Sequence, residues 1–251
     1  MTVAPSVELP IIGYVRSPLI QKFGTPRQPN LVNVPAIIEF VPPFGEPLAF
    51  EGLAAFSHIW LLWQFHQNRD TALTSDATIT KFRAQVRPPR LGGNQKIGVF
   101  ATRSMYRPAN IGLSVVQLVD IEPTPNGVRL HIVGGDMVDG TPIIDIKPYI
   151  NYSDSIADAR SGFAEHKPIR KQVSLTHQVQ RTLTALIVDK KLTQSQVDII
   201  CELLAQDPRP AYRQQEHDTI FTMRYQDWDI AFMQIDEQQL QWVGMVALNA
   251  V

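Results

Sequence analysis

The stretch SVVQLVDIEPTPNGVRLHIV, residues 114–133, decides the fold of the first half of the chain. It contains two runs rich in apolar and β-branched residues, Ser114–Ile121 and Val128–Val133. Between them stands Pro125-Asn126-Gly127, and Asn-Gly readily adopts the positive φ angles that a tight hairpin turn requires. The stretch therefore predicts two antiparallel strands that are joined by a hairpin.

Similar apolar runs recur on both sides of this hairpin, between loops that are crowded with proline. Because proline fixes φ and lacks an N–H donor, these loops disfavour long helices in this half of the chain. Short strands without intervening helices favour a closed or nearly closed β-barrel. The further strand candidates are Leu9–Val15, Ala36–Val41, His58–Phe65, Ile97–Thr102 and Thr141–Asp145.

The pattern changes near residue 165, where we place a domain boundary. Apolar residues then recur at helical spacing from Val179 to Ile187, and Thr193–Gln196 is a capping box for a second helix that ends before Pro208. Three alternating runs follow and predict a meander. The predicted fold is mainly β, with a barrel over residues 1–165 and a smaller α+β domain over residues 166–251. The meander strands are Ile220–Tyr225, Asp229–Ile235 and Leu240–Leu248.

The composition is typical of a soluble globular protein, since 44% of the 251 residues are hydrophobic and 19% are charged. The single cysteine, Cys201, excludes an intrachain disulfide, a zinc ribbon and an iron–sulfur cluster, because each needs at least two thiols. The longest apolar run, Ile59 to Trp63, is too short to span a bilayer. No Lys or Arg precedes Arg16, so we expect no signal peptide and a cytoplasmic protein. We expect no metal site.

The distribution of charge is local rather than global. The formal net charge is −1, which provides no overall field that attracts a polyanion. From Lys81 to Val119, however, there are seven basic residues and no Asp or Glu. These residues either pair with carboxylates from elsewhere in the fold or contact phosphates.

The usual phosphate-binding and hydrolase motifs are missing from the sequence. It contains no P-loop, no Gly-x-Gly-x-x-Gly and no Gly-x-Ser-x-Gly elbow. The stretch Gly134–Gly140 follows a strand, but its carboxylates, Asp136 and Asp139, favour a cationic or hydroxyl-bearing ligand over a phosphate. A plain loop is the alternative interpretation of this stretch.

The polar clusters in these loops resemble the motifs of the TsaA-like, or TrmO, family. The matches run in order over most of the chain, so together they are far more specific than any single one. The chain departs from the family at Pro108–Ile111, where the usual order is Pro-Asn-Pro-Ile, and in Arg69–Phe82, which is longer. The matching stretches are Gly13–Pro18, Pro26–Pro29, Gly52–Leu53, Phe56–Trp60, Phe65–Gln67, Val86–Asn94, Gly98–Ser104, Arg107–Pro108, Asn110–Ser114, Asp139–Pro142, Asp145–Tyr149 and Ala205–Tyr212.

The resemblance implies a β-barrel that binds S-adenosylmethionine, a smaller C-terminal domain and a homodimer. It implies tRNA, and not DNA, as the substrate, modified at the adenosine immediately 3′ of the anticodon. That adenosine already carries a threonylcarbamoyl group on N6, and the product has an added N6-methyl group. Carried over by motif, the cofactor contacts are Pro26, Arg27, Gln28, His66, Gln67, Arg103, Leu113, Asp136, Met137, Val138 and Asp139.

Each of these contacts has a chemical task in the implied site. Arg103 or Arg27 suits the carboxylate of the cofactor, and Asp136 or Asp139 suits its ammonium or its ribose hydroxyls. Leu113 suits the adenine ring. Methyl transfer from a sulfonium requires alignment rather than a strong nucleophile. The catalytic candidates are Asp139 and Asp145, either of which can accept the N6 proton.

For RNA, the resemblance and the charge pattern together assign phosphate contacts to Arg87, Arg90 and Arg107. Arg209 and Tyr212 lie in the loop Asp207–Tyr212, where an arginine and an aromatic ring can contact an unstacked base of the anticodon loop. A packing role is the alternative for Tyr212. The loop contributes to the active site of its own subunit or of its partner's.

Two other functions remain open on the sequence alone. In the first alternative, the barrel is a non-catalytic sensor that binds S-adenosylmethionine or RNA. In the second, it is a methyltransferase of the same fold with another substrate. Retention of both the cofactor clusters and the Asp207–Tyr212 loop favours the tRNA enzyme.

Overall fold

The computed structural model describes residues 7–68 and 82–248. Lys81 and nearly all of the longer segment Arg69–Phe82 lie outside the described residues. In the described part of the chain, no helix is long and apolar enough to cross a membrane.

Six strands of the first half form a closed barrel, which confirms the predicted fold class. The order around the barrel is β1-β2-β7-β6-β3-β8, and every neighbouring pair is antiparallel. The remaining two strands, β4 and β5, form a separate small hairpin. The bounds are β1 Gly13–Arg16, β2 Pro35–Phe40, β3 His58–Gln64, β4 Gln85–Val86, β5 Ile97–Gly98, β6 Ile111–Thr124, β7 Gly127–Val133 and β8 Pro142–Pro148.

The barrel core is built by alternation along each strand. In β3, Ile59 and Leu61 are fully buried while Trp60 and Leu62 face outward and are half-buried. The β6–β7 hairpin forms as predicted, and its turn needs Gly127. This residue has a φ of 117°, and a Cβ there would lie 2.6 Å from the Gly45 carbonyl oxygen. The hairpin thus fixes one side of the barrel by local sequence alone.

The prediction of a barrel strand over Ile97–Thr102 is wrong. Only Ile97–Gly98 is extended, it pairs with β4, and Val99–Ala101 forms a 3-10 turn. The turn is closed by the Thr102 backbone N–H, which donates to the Val99 carbonyl at 3.1 Å. The first strand begins at Gly13 rather than Leu9, whereas β6 and β8 extend beyond their predicted ends.

The C-terminal part contains the two predicted helices and the three predicted meander strands, and one further strand completes a four-stranded sheet. The additional strand, Gln172–Leu175, runs parallel to the last strand. Thr193 and Gln196 form the predicted capping box. The sheet order is β10-β11-β12-β9. The elements are α1 Asn151–Asp154, β9 Gln172–Leu175, α2 His177–Val188, α3 Gln194–Ala205, β10 Phe221–Tyr225, β11 Trp228–Asp236 and β12 Gln239–Ala247.

The core of the C-terminal part also includes residues from the chain between β1 and β2. Leu19, Val32 and Val34 are buried in the same apolar cluster as Phe232 and Trp242. This packing holds the β1–β2 loop against the C-terminal sheet. The boundary near residue 165 stays a prediction, and the C-terminal core is not made of residues 166–251 alone.

Candidate functional site

Strand direction gathers the predicted cofactor residues at one end of the barrel. Because all neighbouring strands are antiparallel, the connections β1–β2, β3–β6 and β7–β8 leave the barrel at the same end. Every predicted cofactor residue lies in one of these connections, except Leu113, which is near the start of β6 at that end. The topology therefore supports one shared site.

Two of these connections meet through Arg103. Its Nη1 donates to the Gln28 side-chain oxygen at 2.7 Å. The positive charge of Arg103 also acts on the Asp136 carboxylate, whose pKa it lowers. Gln28, Arg103 and Asp136 thus bring together one residue from each of the three connections.

The Asp136 carboxylate receives a chain of hydrogen bonds from the barrel wall. Trp63 Nε1 donates to the Ser114 hydroxyl at 3.0 Å, and that hydroxyl donates to Asp136 Oδ1 at 2.6 Å. Burial raises the pKa of Asp136 to about 6, although the Ser114 hydrogen bond and the charge of Arg103 oppose the rise. The carboxylate is therefore ionised near neutral pH but sits in surroundings that penalise its charge. A cation placed against it relieves that penalty.

Trp63 occupies its position only because residue 112 is glycine. A Cβ built on Gly112 would lie 2.3 Å from Trp63 Cε2, well inside contact distance. The indole also packs edge-on against Phe65, with 4.3 Å between ring centroids. The ring that orients Ser114 is thus held from two sides.

Met137 and Val138 are the two predicted cofactor contacts between Asp136 and Asp139. Both side chains are buried, and Met137 belongs to the barrel core. Their backbone is therefore the part that a cofactor can reach, and the Val138 carbonyl already accepts from Thr141. Both contacts stay predictions. Pro26 is likewise buried.

Asp139 connects the β7–β8 loop to the end of β1. Its Oδ1 accepts from the Ser17 backbone N–H at 2.9 Å, and its own N–H donates to the Leu19 carbonyl at 2.7 Å. Its charge also reaches His66. Burial lowers the pKa of His66, as does the nearby charge of Lys22, while Asp139 and the Gln64 carbonyl oppose this change.

The loop that carries His66 and Gln67 is held by a residue that the sequence analysis did not identify. Lys22 Nζ donates to the Gln67 carbonyl at 2.7 Å, which ties the β3–β6 connection to the β1–β2 connection. His66 and Gln67 are exposed. Their side chains are free to face a ligand at this end of the barrel.

Asp145 lies on the outer wall of the barrel, in the same row as Leu113. Leu62 on β3 pairs with Asp145 on β8 at one edge and with Leu113 on β6 at the other. The three side chains therefore form one row across neighbouring strands that faces outward. Lys147 Nζ is 3.2 Å from the Asp145 carboxylate. Leu113 is 50% exposed and presents an apolar surface at the edge of the site.

Five cations of the basic segment have no carboxylate partner among the described residues. Arg87, Arg90, Lys96, Arg103 and Arg107 form no ion pair with any described Asp or Glu. Arg107 donates to the Thr102 carbonyl at 2.5 Å, and Arg90 donates to the His166 carbonyl. Their charges are oriented by the backbone but not neutralised, which favours contacts with phosphates over internal pairing.

Arg209 is a structural residue and not an RNA contact. Its side chain is 0% exposed and donates to both oxygens of Asp207, at 2.8 and 2.9 Å. It also donates to the side chain of Gln234 and to the carbonyls of Gln214 and Glu216. Because the side chain is fully buried and all three of its nitrogens donate inside the protein, its prediction as an RNA contact is wrong. Its function is to fix the loop.

The fixed loop presents Tyr212 to solvent beside the basic segment. Tyr212 is 77% exposed, which disfavours a packing role. A Cβ on Gly93 would lie 3.9 Å from the Ala211 methyl, so the basic segment touches the neighbour of Tyr212. On the other side, Arg27 donates to the Arg209 carbonyl at 2.9 Å. The Asp207–Tyr212 loop therefore contacts both the cofactor end of the barrel and the basic segment within one chain.

The residue types at this site fit a zwitterionic ligand that carries a flat apolar ring. Arg103 suits a carboxylate, the desolvated Asp136 suits an ammonium, and Leu113 suits a flat apolar ring. Among the described residues, no group of His, Cys, Asp and Glu could hold a metal ion. Sequence reasoning missed Ser114 and Trp63, although a serine at an inward-facing strand position was the available signal.

Comparison with known proteins places this arrangement in a family. The family model described as tRNA-methyltransferase O N-terminal domain matches residues 14–155, and the TrmO C-terminal domain model matches residues 168–247. A putative S-adenosylmethionine-dependent methyltransferase RcsF of Pseudomonas aeruginosa is 44% identical over 220 residues, which cover 87% of this chain and 89% of that protein.

Two further relatives agree. The tRNA (adenine(37)-N6)-methyltransferase of Escherichia coli K12 is 43% identical over 207 residues, which cover 82% of this chain and 83% of that protein. The crystal structure of TrmO from Pseudomonas aeruginosa superposes with a TM-score of 0.75 at 33% identity, and the match covers 97% of this chain and 98% of that one. These findings confirm the resemblance drawn from the sequence motifs.

Proposed function

Because the chain belongs to the tRNA-methyltransferase O family, we propose that it is an S-adenosylmethionine-dependent tRNA (adenine-N6)-methyltransferase. The observation that carries this proposal is the convergence of Gln28, Arg103 and Asp136 at one barrel end, beside an exposed Tyr212. The first three residues suit the cofactor, and Tyr212 suits a base. Both requirements are met within one continuous surface.

The cofactor residues divide by charge. Arg103 holds the carboxylate of S-adenosylmethionine, Asp136 holds its ammonium, and exposed Leu113 contacts the adenine. The bound cofactor supplies an electrophilic methyl group on a sulfonium. Gln28, held by Arg103, and the exposed His66 and Gln67 border the cofactor and exclude water from it.

We propose that the target is the adenosine immediately 3′ of the anticodon, already carrying an N6-threonylcarbamoyl group. The carboxylate of that group adds a negative charge to the RNA, and the basic segment offers Arg87, Arg90 and Arg107 without internal carboxylate partners. The carbamoyl group also acidifies the N6 proton, so a weak base suffices. Asp139 is the better candidate for that base, because Asp145 is paired with Lys147 on the outer wall.

The Asp207–Tyr212 loop acts within its own subunit in this proposal. Its support is the hydrogen bond from Arg27 to the Arg209 carbonyl, which joins the loop to the barrel of the same chain. We propose further that the protein is a homodimer in the cytoplasm, where its tRNA substrate is modified. The barrel domain, residues 1–165, binds the cofactor, and residues 166–251 contribute the tRNA loop.

The test is radiolabelled methyl transfer to tRNA. Wild-type protein is mixed with labelled S-adenosylmethionine and either threonylcarbamoylated tRNA or the same tRNA without that group. We expect transfer to the modified tRNA and much less to the unmodified one. Equal transfer to both would contradict the substrate assignment, and binding of the cofactor without any transfer would favour a sensor. Light scattering at micromolar concentration tests the dimer.

A further inference from the structure

An exposed aromatic pair stands in the basic segment and is not used by the site described above. Phe82 is 49% exposed and Phe100 is 69% exposed. Their ring centroids are 6.0 Å apart and the ring planes are inclined by 31°. The Val99 backbone N–H donates to the Ala84 carbonyl at 2.9 Å, which continues the β4–β5 ladder to the base of the hairpin and sets the two rings side by side.

The surroundings of this pair are cationic. From Phe82 to Val119 the sequence contains no Asp or Glu. The Arg83 guanidinium carbon lies 4.2 Å from the centroid of the Tyr106 ring, which adds a stacked cation beside the two phenylalanines. Arg87 and Lys96 have no carboxylate partner among the described residues. An apolar flat surface beside cations, of which Arg87 and Lys96 form no ion pair with a described carboxylate, matches the chemistry of a nucleic-acid base and its phosphates.

The hairpin also links the two ends of the site. Its tip is close to Ala211, next to Tyr212, through Gly93. Its base continues through Phe100 to Arg103, which holds Gln28 in the cofactor end of the barrel. The phenylalanine pair and Tyr212 therefore stand at opposite ends of one basic hairpin.

We propose that Phe82 and Phe100 form a platform on which a base of single-stranded RNA stacks, separate from the base at Tyr212. The arginines of the hairpin contact the phosphates between the two bases. This inference rests on the proposed function, because it deepens the account of how the tRNA loop is held. A second copy of the chain is the competing occupant, but it would place cationic surface against the same cationic surface.

The experiment measures binding of a fluorescein-labelled, single-stranded anticodon-loop RNA and of a blunt RNA duplex of equal charge. Phe100→Ala and Phe82→Ala each weaken single-strand binding about tenfold and leave both the salt dependence and the duplex affinity unchanged. Phe44→Ala, which removes an aromatic ring of similar exposure in the β2–β3 loop, is the matched control and binds as wild type. Single-strand affinities of both platform variants within twofold of wild type overturn the proposal.

A second variant reports base stacking directly, because it keeps an aromatic side chain at position 100. Phe100→Trp retains the affinity, and single-stranded RNA quenches its tryptophan emission more than that of wild type, which already contains four tryptophans. A folded variant that is quenched no more than wild type overturns the proposal. Loss of self-association by Phe100→Ala, with unchanged RNA affinity, overturns it in favour of a subunit contact.

The outcome separates this inference from the proposed function. If wild-type protein methylates tRNA while both alanine variants bind RNA normally, the platform is absent and the function stands. If wild type transfers no methyl group but the alanine variants lose single-strand affinity, the platform stands and the function fails.

Discussion

Arg27 donates from Nη2 to the main-chain carbonyl of Arg209 at 2.9 Å, and this bond joins the first barrel loop to the C-terminal loop. Burial lowers the pKa of the Arg27 guanidinium, while the charge of Asp207 raises it. Below the carbonyl, the Arg209 side chain is locked in the core. This bond therefore fixes the position of the predicted cofactor loop relative to the loop that presents Tyr212.

Arg27→Ala should impair both halves of the site. We expect the affinity for S-adenosylmethionine to fall and kcat/KM for tRNA to fall by about tenfold, since one hydrogen bond from a charged donor is lost. Calorimetry and the methyl-transfer assay measure the two effects. Arg181→Ala, at an exposed position of α2, is the control and should change neither. If tRNA turnover by Arg27→Ala matched wild type, the link between the loops would have no functional role.

Cofactor binding should depend on pH through Asp136, whose pKa burial raises to about 6. The ionised carboxylate pairs with an ammonium, so the affinity should fall as the pH is lowered through about 6, approaching tenfold per pH unit below it. Calorimetry between pH 5 and pH 7.5 measures this profile. Asp136→Asn should bind more weakly and lose this pH dependence.

Variants of Ser114 test whether the Asp136 carboxylate controls the pH dependence of cofactor binding. Its hydrogen bond lowers the pKa of Asp136, so Ser114→Ala should move the midpoint of the binding profile to higher pH. Ser114→Thr retains a hydroxyl and should move it less. An unshifted midpoint in Ser114→Ala would mean that another group controls the pH dependence.

Arg209→Ala should destabilise the fold strongly. It leaves the buried Asp207 carboxylate with Lys171, at 3.2 Å, as its cationic partner and with the backbone N–H of residue 209, at 3.4 Å, and breaking a buried pair costs about 3–5 kcal/mol. Urea unfolding measures the loss. Arg213→Ala removes an exposed pair with Glu216 and a ring contact with Phe221, and should cost much less than Arg209→Ala because water screens the exposed charges. Similar losses in the two variants would contradict the structural role of Arg209.

The lowered pKa of Asp207 makes the stability that the Asp207–Arg209 pair contributes depend on pH. Burial raises this pKa, but Arg209 and Lys171 outweigh burial and hold it below its usual range. Since the folded-state pKa is the lower one, this contribution to stability is present above the unfolded-state value, near 4, and is lost as the pH falls through the folded-state value.

Gly112→Ala should displace the Trp63 indole, because the new methyl group would lie 2.3 Å from Cε2. Overpacking of this kind costs about 1–3 kcal/mol, and the chain to Asp136 loses its first donor. Thermal unfolding reports the cost. Gly98→Ala, where nothing lies within 4 Å of the new Cβ, should leave the melting temperature nearly unchanged. Equal melting temperatures for the two variants would refute the close contact.

Phosphate contacts and base contacts should respond differently to salt. Arg87→Ala should lower the slope of log affinity against log salt by up to about one unit, whereas Tyr212→Ala should leave the slope unchanged and reduce methyl transfer. RNA binding at four salt concentrations distinguishes them. Cofactor affinity should be normal in both variants. If Tyr212→Ala lowered the slope more than Arg87→Ala did, the phosphate contact and the base contact would have to be exchanged.

The sequence predicted what depends on local patterns. The Asn126-Gly127 turn, the Thr193 capping box and the alternation in β3 each act over a few residues, and all three appear in the structure. The strand β9 escaped notice because it is four residues long and pairs in parallel with β12, far along the chain. Such pairing leaves no local signature.

The site was predicted by residue type better than by residue role. Arg209 and Tyr212 stand three positions apart in one motif, yet one is buried and the other exposed. Only tertiary packing against Asp207 and Gln234 separates them. Ser114 and Lys22 were missed for the same reason, since each acts through a partner that is distant in sequence.

The β6–β7 turn provides an exposed position at which the protein can be attached to a surface. Asn126 is exposed at the β6–β7 turn, at the end of the barrel away from the three connections that form the site. Burial raises the pKa of the Cys201 thiol to about 11, so the native cysteine reacts slowly at neutral pH. A fluorophore or tether on Asn126→Cys would therefore carry a single label that leaves the RNA-facing side open, which suits single-molecule observation of tRNA capture.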